Sequence, residues 1–232
     1  MARIKNELTG RASGKVGQQI YRIRDGKTSL CALPASFKVS QSEKAVTGRS
    51  RFRLCLKTAQ AMGQISQLKH FWKNTSVTAG DSNSSPFNKM VKCLYPYVLQ
   101  DNLDDAMPVV PGLGFVAEKD TVTLADNSIT AGINPIGTSQ GIDTTVEKFF
   151  QLVCIVYCKT PVDERKAPYN FIWCISDKTA LNLTNPLSLS ITVAGTKTTL
   201  FDLYTNHKAY FTLITTTNDG IPVRYSDTFT SV

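Results

Sequence analysis

The pattern that most limits the fold of this chain is an alternation near its C-terminal end. Leu187, Leu189, Ile191 and Val193 alternate with Ser188, Ser190 and Thr192. A period of two belongs to a β-strand with one face on a core and the other in water. Residues 149–158 are apolar at both parities, which predicts a central strand or one lying under a contact. Residues 169–175, with Trp173, give another strand. Residues 209–217 lead through Asn218-Asp219-Gly220 into a last strand over 221–230. Residues 194–197 read as a turn that sends the 187–193 strand back along 198–204 as another strand. Strands of this length and spacing, with no helix between them, predict an antiparallel β-sandwich.

Upstream of residue 112 the period is helical instead. Ser40 and Glu43 match a capping box, in which each side chain satisfies a free backbone N–H at a helix start. Phe52, Cys55, Ala59, Met62 and Ile65 then repeat at helical spacing, and Leu68 and Trp72 continue the stripe. Gly48 and Gly63 each weaken this helix by roughly 1 kcal/mol relative to Ala, and a break is expected near Gly63. Ser85-Pro86 opens a second helix, with Phe87, Met90, Val91 and Leu94 as its stripe and Pro96 as its kink or end. Residues 74–86 read as a polar loop and 101–111 as a linker.

Charge divides the chain. The formal net charge is +8. Residues 1–75 carry fifteen Lys or Arg against three Asp or Glu, whereas residues 76–232 carry eleven against fifteen. A basic leading third can face nucleic acid or an acidic protein surface. Opposite-signed ends also favour head-to-tail contact between copies of one chain. Apolar residues make up 42% and charged residues 19%, enough for a core and too little charge for a disordered chain.

The basic third begins with a segment over 1–17 that holds Gly10, Gly14 and Gly17 and few apolar anchors, and reads as an arm that orders against a partner. Asp25-Gly26 then predicts a tight hairpin, with Arg22, Arg24 and Lys27 near its tip. An isolated hairpin is marginal in water, so this one is expected to pack on another subunit or on its own C-terminal region. Arg49, Arg51, Arg53 and Lys57, with Lys44, form the densest basic cluster, on the helix side opposite the apolar stripe. The contact residues expected for a neighbouring subunit or nucleic acid are Arg11, Lys15, Arg22, Arg24, Lys27, Arg49, Arg51, Arg53 and Lys57. Only Tyr21 and Phe52 are closely interleaved with this region, which gives little support for an aromatic platform that stacks bases.

Catalytic patterns are weak. Two histidines, His70 and His207, stand far from any recognisable nucleophile motif. Asp104 and Asp105 are adjacent and diverge on any regular element. Gly10 to Lys15 resembles a phosphate-binding loop but has three residues between its glycines where four are needed, and Val16 replaces the Mg²⁺-binding hydroxyl. The six cysteines form no CxxC pair, and no His lies at ligand spacing, so no metal site is expected. Cys154 and Cys158 fall on one strand face as small buried hydrophobes, too far apart along it to bridge. No stretch is long and apolar enough to span a membrane, and residues 1–7 lack a secretory h-region. A non-enzymatic protein without cofactor or small-molecule substrate is therefore expected.

Met-Ala-Arg-Ile-Lys-Asn at the start, Ser13-Gly-Lys-Val-Gly17, Tyr21 with Arg24-Asp-Gly26, Pro34, Arg49 with Arg51-Phe52, and Pro86-Phe-Asn88 recur in an order that resembles an uncharacterised protein family of Bacteroidetes bacteria and their phages. The same residues are similar to tailed-phage virion proteins that carry a Gly-Lys-Val-Gly arm, a basic hairpin and a helix ending in Trp. Ser42-Glu-Lys-Ala replaces the Thr-x-x-Gln usual before that helix. The resemblance covers about the first 95 residues and brings no enzymatic activity with it. It implies a structural subunit of a bacteriophage virion, in the capsid, neck or tail, made in the host cytoplasm. Its partners would be copies of itself, other virion proteins and packaged DNA. Such families often carry an immunoglobulin-like sandwich at the C-terminal end. The expected architecture is thus α+β: a basic arm and hairpin over 1–40, helices over 41–110 and a β-sandwich over 111–232. The alternative function is a nucleic-acid-binding module that uses the basic third. A bacterial surface protein would need export.

Overall fold

The computed structural model describes residues 2–3, 14–16, 19–24, 27–32, 39–75, 84–125 and 128–231. It is a mixed α+β structure, mostly strands, with antiparallel sheets. The chain divides into two compact units, Met1–Ala45 and Val46–Val232.

The first unit is a four-stranded antiparallel sheet in the order β1-β4-β3-β2, built from β1 (Ala2–Arg3), β2 (Gly14–Val16), β3 (Gln19–Arg24) and β4 (Lys27–Ala32). The hairpin expected around Asp25-Gly26 is present, since Arg24 pairs with Lys27 and Gln19 with Ala32. Its two turn residues lie outside the described residues, as does Arg11. Two pieces of the expected arm are strand: Ala2–Arg3 pairs with β4 and Gly14–Val16 with β3. Their backbone groups thus find partners within the protomer, as the strand ladder demands. The rest of the arm, residues 1, 4–13 and 17, lies outside the described residues.

The second unit is built on one long antiparallel pair, β7 (Phe149–Pro161) and β11 (Tyr204–Thr216). β8 (Tyr169–Ile175) and the short β9 (Thr179–Ala180) pair with β7, while β12 (Pro222–Tyr225) and β13 (Phe229–Thr230) pair with β11. A second sheet has the order β10-β6-β5, from β5 (Lys119–Leu124), β6 (Ser128–Ile133) and β10 (Leu187–Thr192). The alternation in β10 holds: Leu187, Leu189 and Ile191 are buried and the residues between them exposed.

Both faces of β7 are buried, as its double-sided apolar pattern predicts. Phe150, Leu152, Cys154, Val156 and Cys158 join a core shared with Ile129, Ala131 and Ile133 of β6 and Leu187, Leu189 and Ile191 of β10. Val153, Ile155 and Tyr157 point the other way, into a core with the helices. Four cysteines, Cys55, Cys154, Cys158 and Cys174, are buried free thiols that fill these cores.

The helices are α1 (Glu43–Met62), α2 (Ser66–Asn74) and α3 (Pro86–Leu94). The break falls at Gly63, where an added Cβ would meet the Ala59 carbonyl at 3.2 Å. Ser85 caps α3 by accepting from the Asn88 N–H, with Pro86 in the first turn. Lys89 closes the end of α2, because its buried ammonium donates to the carbonyls of Lys73 and Thr75.

The structure corrects three expectations in this unit. Phe52 is 49% exposed and is not part of the buried stripe, which runs through Leu54, Cys55, Thr58, Ala59 and Met62. Leu54 takes its place beside Cys55 in the core that the helices share with β7. Residues 101–111 do not form a free linker. Leu103, Met107, Val109 and Val110 are buried, and Trp72 Nε1, Tyr157 and Tyr210 donate to the carbonyls of Val109, Asp101 and Asp104. Residues 196–202 form a helix, α4 (Thr196–Asp202), rather than a strand. Gly195 at φ 64° stands at the start of the helix, after the strand has ended at Thr192, and the helical turn lets Leu200 and Phe201 both reach the core.

Candidate functional site

The expected contact residues fall into two groups. In the first unit, antiparallel pairing puts partnered positions on a common sheet face. Arg22 pairs with Ser29, Arg24 with Lys27, Lys15 with Ile20 and Arg3 with Ser29. Positions 3, 15, 22, 24 and 27 therefore share one parity, together with Ile20 and Cys31. The opposite parity holds Ala2, Gly14, Val16, Gln19, Tyr21, Ile23, Thr28, Leu30 and Ala32, without a charge. By backbone register, then, the basic positions of the sheet fall at one parity and the other parity holds no charged position. None of the described side chains of this unit is buried: Ile20, Tyr21, Leu30 and Cys31 are half-buried and Arg22 is exposed. Sequence reading found the cations but not their sorting, which needs the register of four strands.

In the second unit, α1 places Arg49, Phe52, Arg53, Leu56, Lys57 and Gln60 along one groove, at the three- and four-residue steps that share a helix face. Arg49, Arg53 and Lys57 are exposed. Arg51 sits differently. Its Nε donates to the Val98 carbonyl at 2.8 Å, its Nη2 reaches the Tyr95 carbonyl, and its guanidinium lies 5.0 Å from the Tyr95 ring centre. Arg51 thereby closes the helical turn at 95–97 onto α1.

Arg53 and Lys57 also line a cavity of about 730 Å³ with Ser50, Gln100, Asp101, Lys159 and an aromatic group from β7 and β8. The rings of Tyr157, Tyr169 and Phe171 lie 5.3 to 6.2 Å apart, centre to centre. Burial raises the Tyr169 hydroxyl above its ordinary pKa, while the Arg53 charge pulls it down and Asp101 pushes it up. Burial likewise raises Tyr157, whose hydroxyl donates to the Asp101 carbonyl. At the cavity's edge, next to Lys159, Thr160 holds φ 62°, a left-handed conformation that a β-branched residue rarely adopts. Asn206 Nδ2 donates to its Oγ1 and Thr205 Oγ1 to its carbonyl, which holds the kink in place. Only Arg53 and Lys57 of this cavity were legible in the sequence. The aromatic wall comes from strands more than a hundred residues away, and no local pattern announces it.

The residues weighed for catalysis have structural surroundings. Asp104 caps its own turn by accepting from the Ala106 N–H, and Asp105 pairs with Lys208. His70 meets Asn74 one helical turn on. His207 stacks on Phe201, with centroids 3.8 Å apart. Among the described residues no cluster of three or more His, Cys, Asp or Glu is arranged to hold a metal ion, and no helix is long and apolar enough to cross a membrane.

No family model matches the chain, nor does any curated protein or solved structure.

Proposed function

We propose that this chain is a non-enzymatic structural subunit of a bacteriophage virion that assembles through its basic N-terminal unit. The observation that carries the reading is the first unit's sheet, whose register puts its basic positions at one parity and whose described residues include no buried side chain. A sheet gains stability by burying a face, and a hairpin-based sheet without a core is marginal alone. The parity without charged positions therefore suits a covering surface, and the basic parity an acidic one. Residues 76–232, with fifteen acidic against eleven basic side chains, carry carboxylates that could supply such a surface on a neighbouring copy. The resemblance of the leading residues to tailed-phage virion proteins agrees with this role. We assign the two packed sheets of the second unit to a β-sandwich of the immunoglobulin-like kind, the rigid body of the subunit.

The test is light scattering after size exclusion, over a range of concentration and salt, with electron microscopy of the fractions. Rings, tubes or shells that dissolve as salt rises are expected. A monomer at high concentration, indifferent to salt, contradicts the reading.

The shared parity of the basic positions also favours a second reading, a nucleic-acid-binding module. Counterion release then makes affinity fall steeply with salt in a gel assay. Absence of binding at low salt removes it.

A further inference from the structure

We propose that the cavity between α1 and the adjoining ends of β7 and β8 binds a nucleoside phosphate. The volume of about 730 Å³ lies within the range of small-molecule sites. Arg53, Lys57 and Lys159 bring three positive charges to its lining, against the single carboxylate of Asp101. Tyr157, Tyr169 and Phe171 give it an aromatic wall, with Tyr169 and Phe171 half-buried and so open on part of their surface.

The two halves of this lining ask for different things. Cations reward any anion, including a bare phosphate or a carboxylate, but those ligands leave the rings unused. Rings reward a planar partner, since stacking of a base on an aromatic side chain is favourable for every base. A ligand that carries both a flat heterocycle and a phosphate satisfies both. Gln100 and Asp101 add a polar edge where base amino groups and ring nitrogens find partners. The kink at Thr160 sets the course of the chain just beyond Lys159. Backbone held in a sparsely populated conformation clusters at ligand sites.

This inference does not rest on the assembly reading, and it departs from the expectation of a chain without small-molecule ligands. The same chemistry is offered by a free nucleotide and by one unit of a single strand, and the two sources separate experimentally.

The experiment is isothermal titration of the full chain at about 50 mM salt, where charge contacts are strong. The probes are dAMP, deoxyadenosine, inorganic phosphate and a ten-residue oligodeoxyadenylate. Each is titrated into the wild type, Arg53→Ala, Tyr169→Leu and the distant control Lys178→Ala. Tyr169→Leu keeps apolar bulk while removing the ring face, and a thermal melt of each variant confirms that it is folded. The expected result is dAMP binding that weakens about tenfold in Arg53→Ala and in Tyr169→Leu, with less than about a twofold change in the control. Deoxyadenosine and phosphate alone bind much more weakly than dAMP. Tighter binding of the oligonucleotide, with the same two losses, assigns a single strand as the source; binding of dAMP alone assigns a free nucleotide. Absence of binding by both dAMP and the oligonucleotide overturns the proposal. So does binding that phosphate alone matches, or that neither variant weakens. Assembly is read separately by light scattering, so failure here leaves that reading standing.

Discussion

The carboxylate of Glu147 is 1% exposed, and its Oε1 lies 3.2 Å from the Nε of Arg224. Glu147 precedes β7 and Arg224 lies on β12, so the pair ties the start of the central strand to the edge of its sheet. The carboxylate also accepts from the Asp143 N–H and from the Thr215 hydroxyl. Removing one member of a buried pair leaves the other's groups unsatisfied, which costs far more than the pair contributes net. Glu147→Ala is expected to destabilise the second unit by about 3 kcal/mol. Arg224→Ala costs less, because Arg224 is half exposed and solvent already screens its charge. Urea midpoints of the two variants check both the loss and its order.

Gly114 lies against the backbone of β12. A Cβ there would stand 2.1 Å from the Tyr225 carbonyl oxygen, while Phe115 N–H donates to that same oxygen. Gly114→Ala therefore has to push two backbone segments apart, and a loss of about 2 kcal/mol or more is expected. Gly48→Ala is the matching control. It lies within α1 with open space around its Cβ position, and the gain in helix propensity is expected to stabilise by roughly 0.5 to 1 kcal/mol. Thermal melts that move in opposite directions meet the expectation.

His207 Nε2 lies 2.9 Å from the Phe201 carbonyl, so that nitrogen carries the proton in the neutral ring. Burial lowers its pKa from the ordinary 6.5, a shift that the Phe201 carbonyl and Asp202 only partly offset. The folded state thus favours neutral imidazole. The stability this contributes is present above the unfolded value of 6.5 and is lost as pH falls through the folded one. Urea midpoints at about pH 7.5 and about pH 5 should show a loss on acidification that is smaller in His207→Gln. An equal loss in both proteins assigns the acid sensitivity to other groups.

Much of the second unit is legible because its signals are local. The β10 alternation, the two-sided apolar run in β7, the Ser85-Pro86 start and the Gly63 break each depend on neighbours within a few residues. What escapes the sequence depends on distant partners. Residues 101–111 look like a linker because they lack periodicity, yet Tyr157, Tyr210 and Trp72 anchor their carbonyls from three other elements. The strand expected over 198–204 is helical because Phe201 has a core to reach. The β5–β6 hairpin escapes because its strands are short and half polar, and their pairing is settled by β10 alongside. In the candidate cavity the helical cations follow from the sequence. The rings that give them chemical meaning meet them only through the fold.

Hydrogen exchange on the full chain tests the central claim most directly, that the basic N-terminal unit gains its stability from a partner. Backbone amides of β3 and β4 are compared with those of β7 and β11, first in a dilute monomer and then in the assembled form. The account predicts that β3 and β4 exchange far faster than β7 and β11 in the monomer, and slow by about tenfold or more on assembly. Protection of β3 and β4 equal to that of β7 and β11 in the isolated monomer would contradict it.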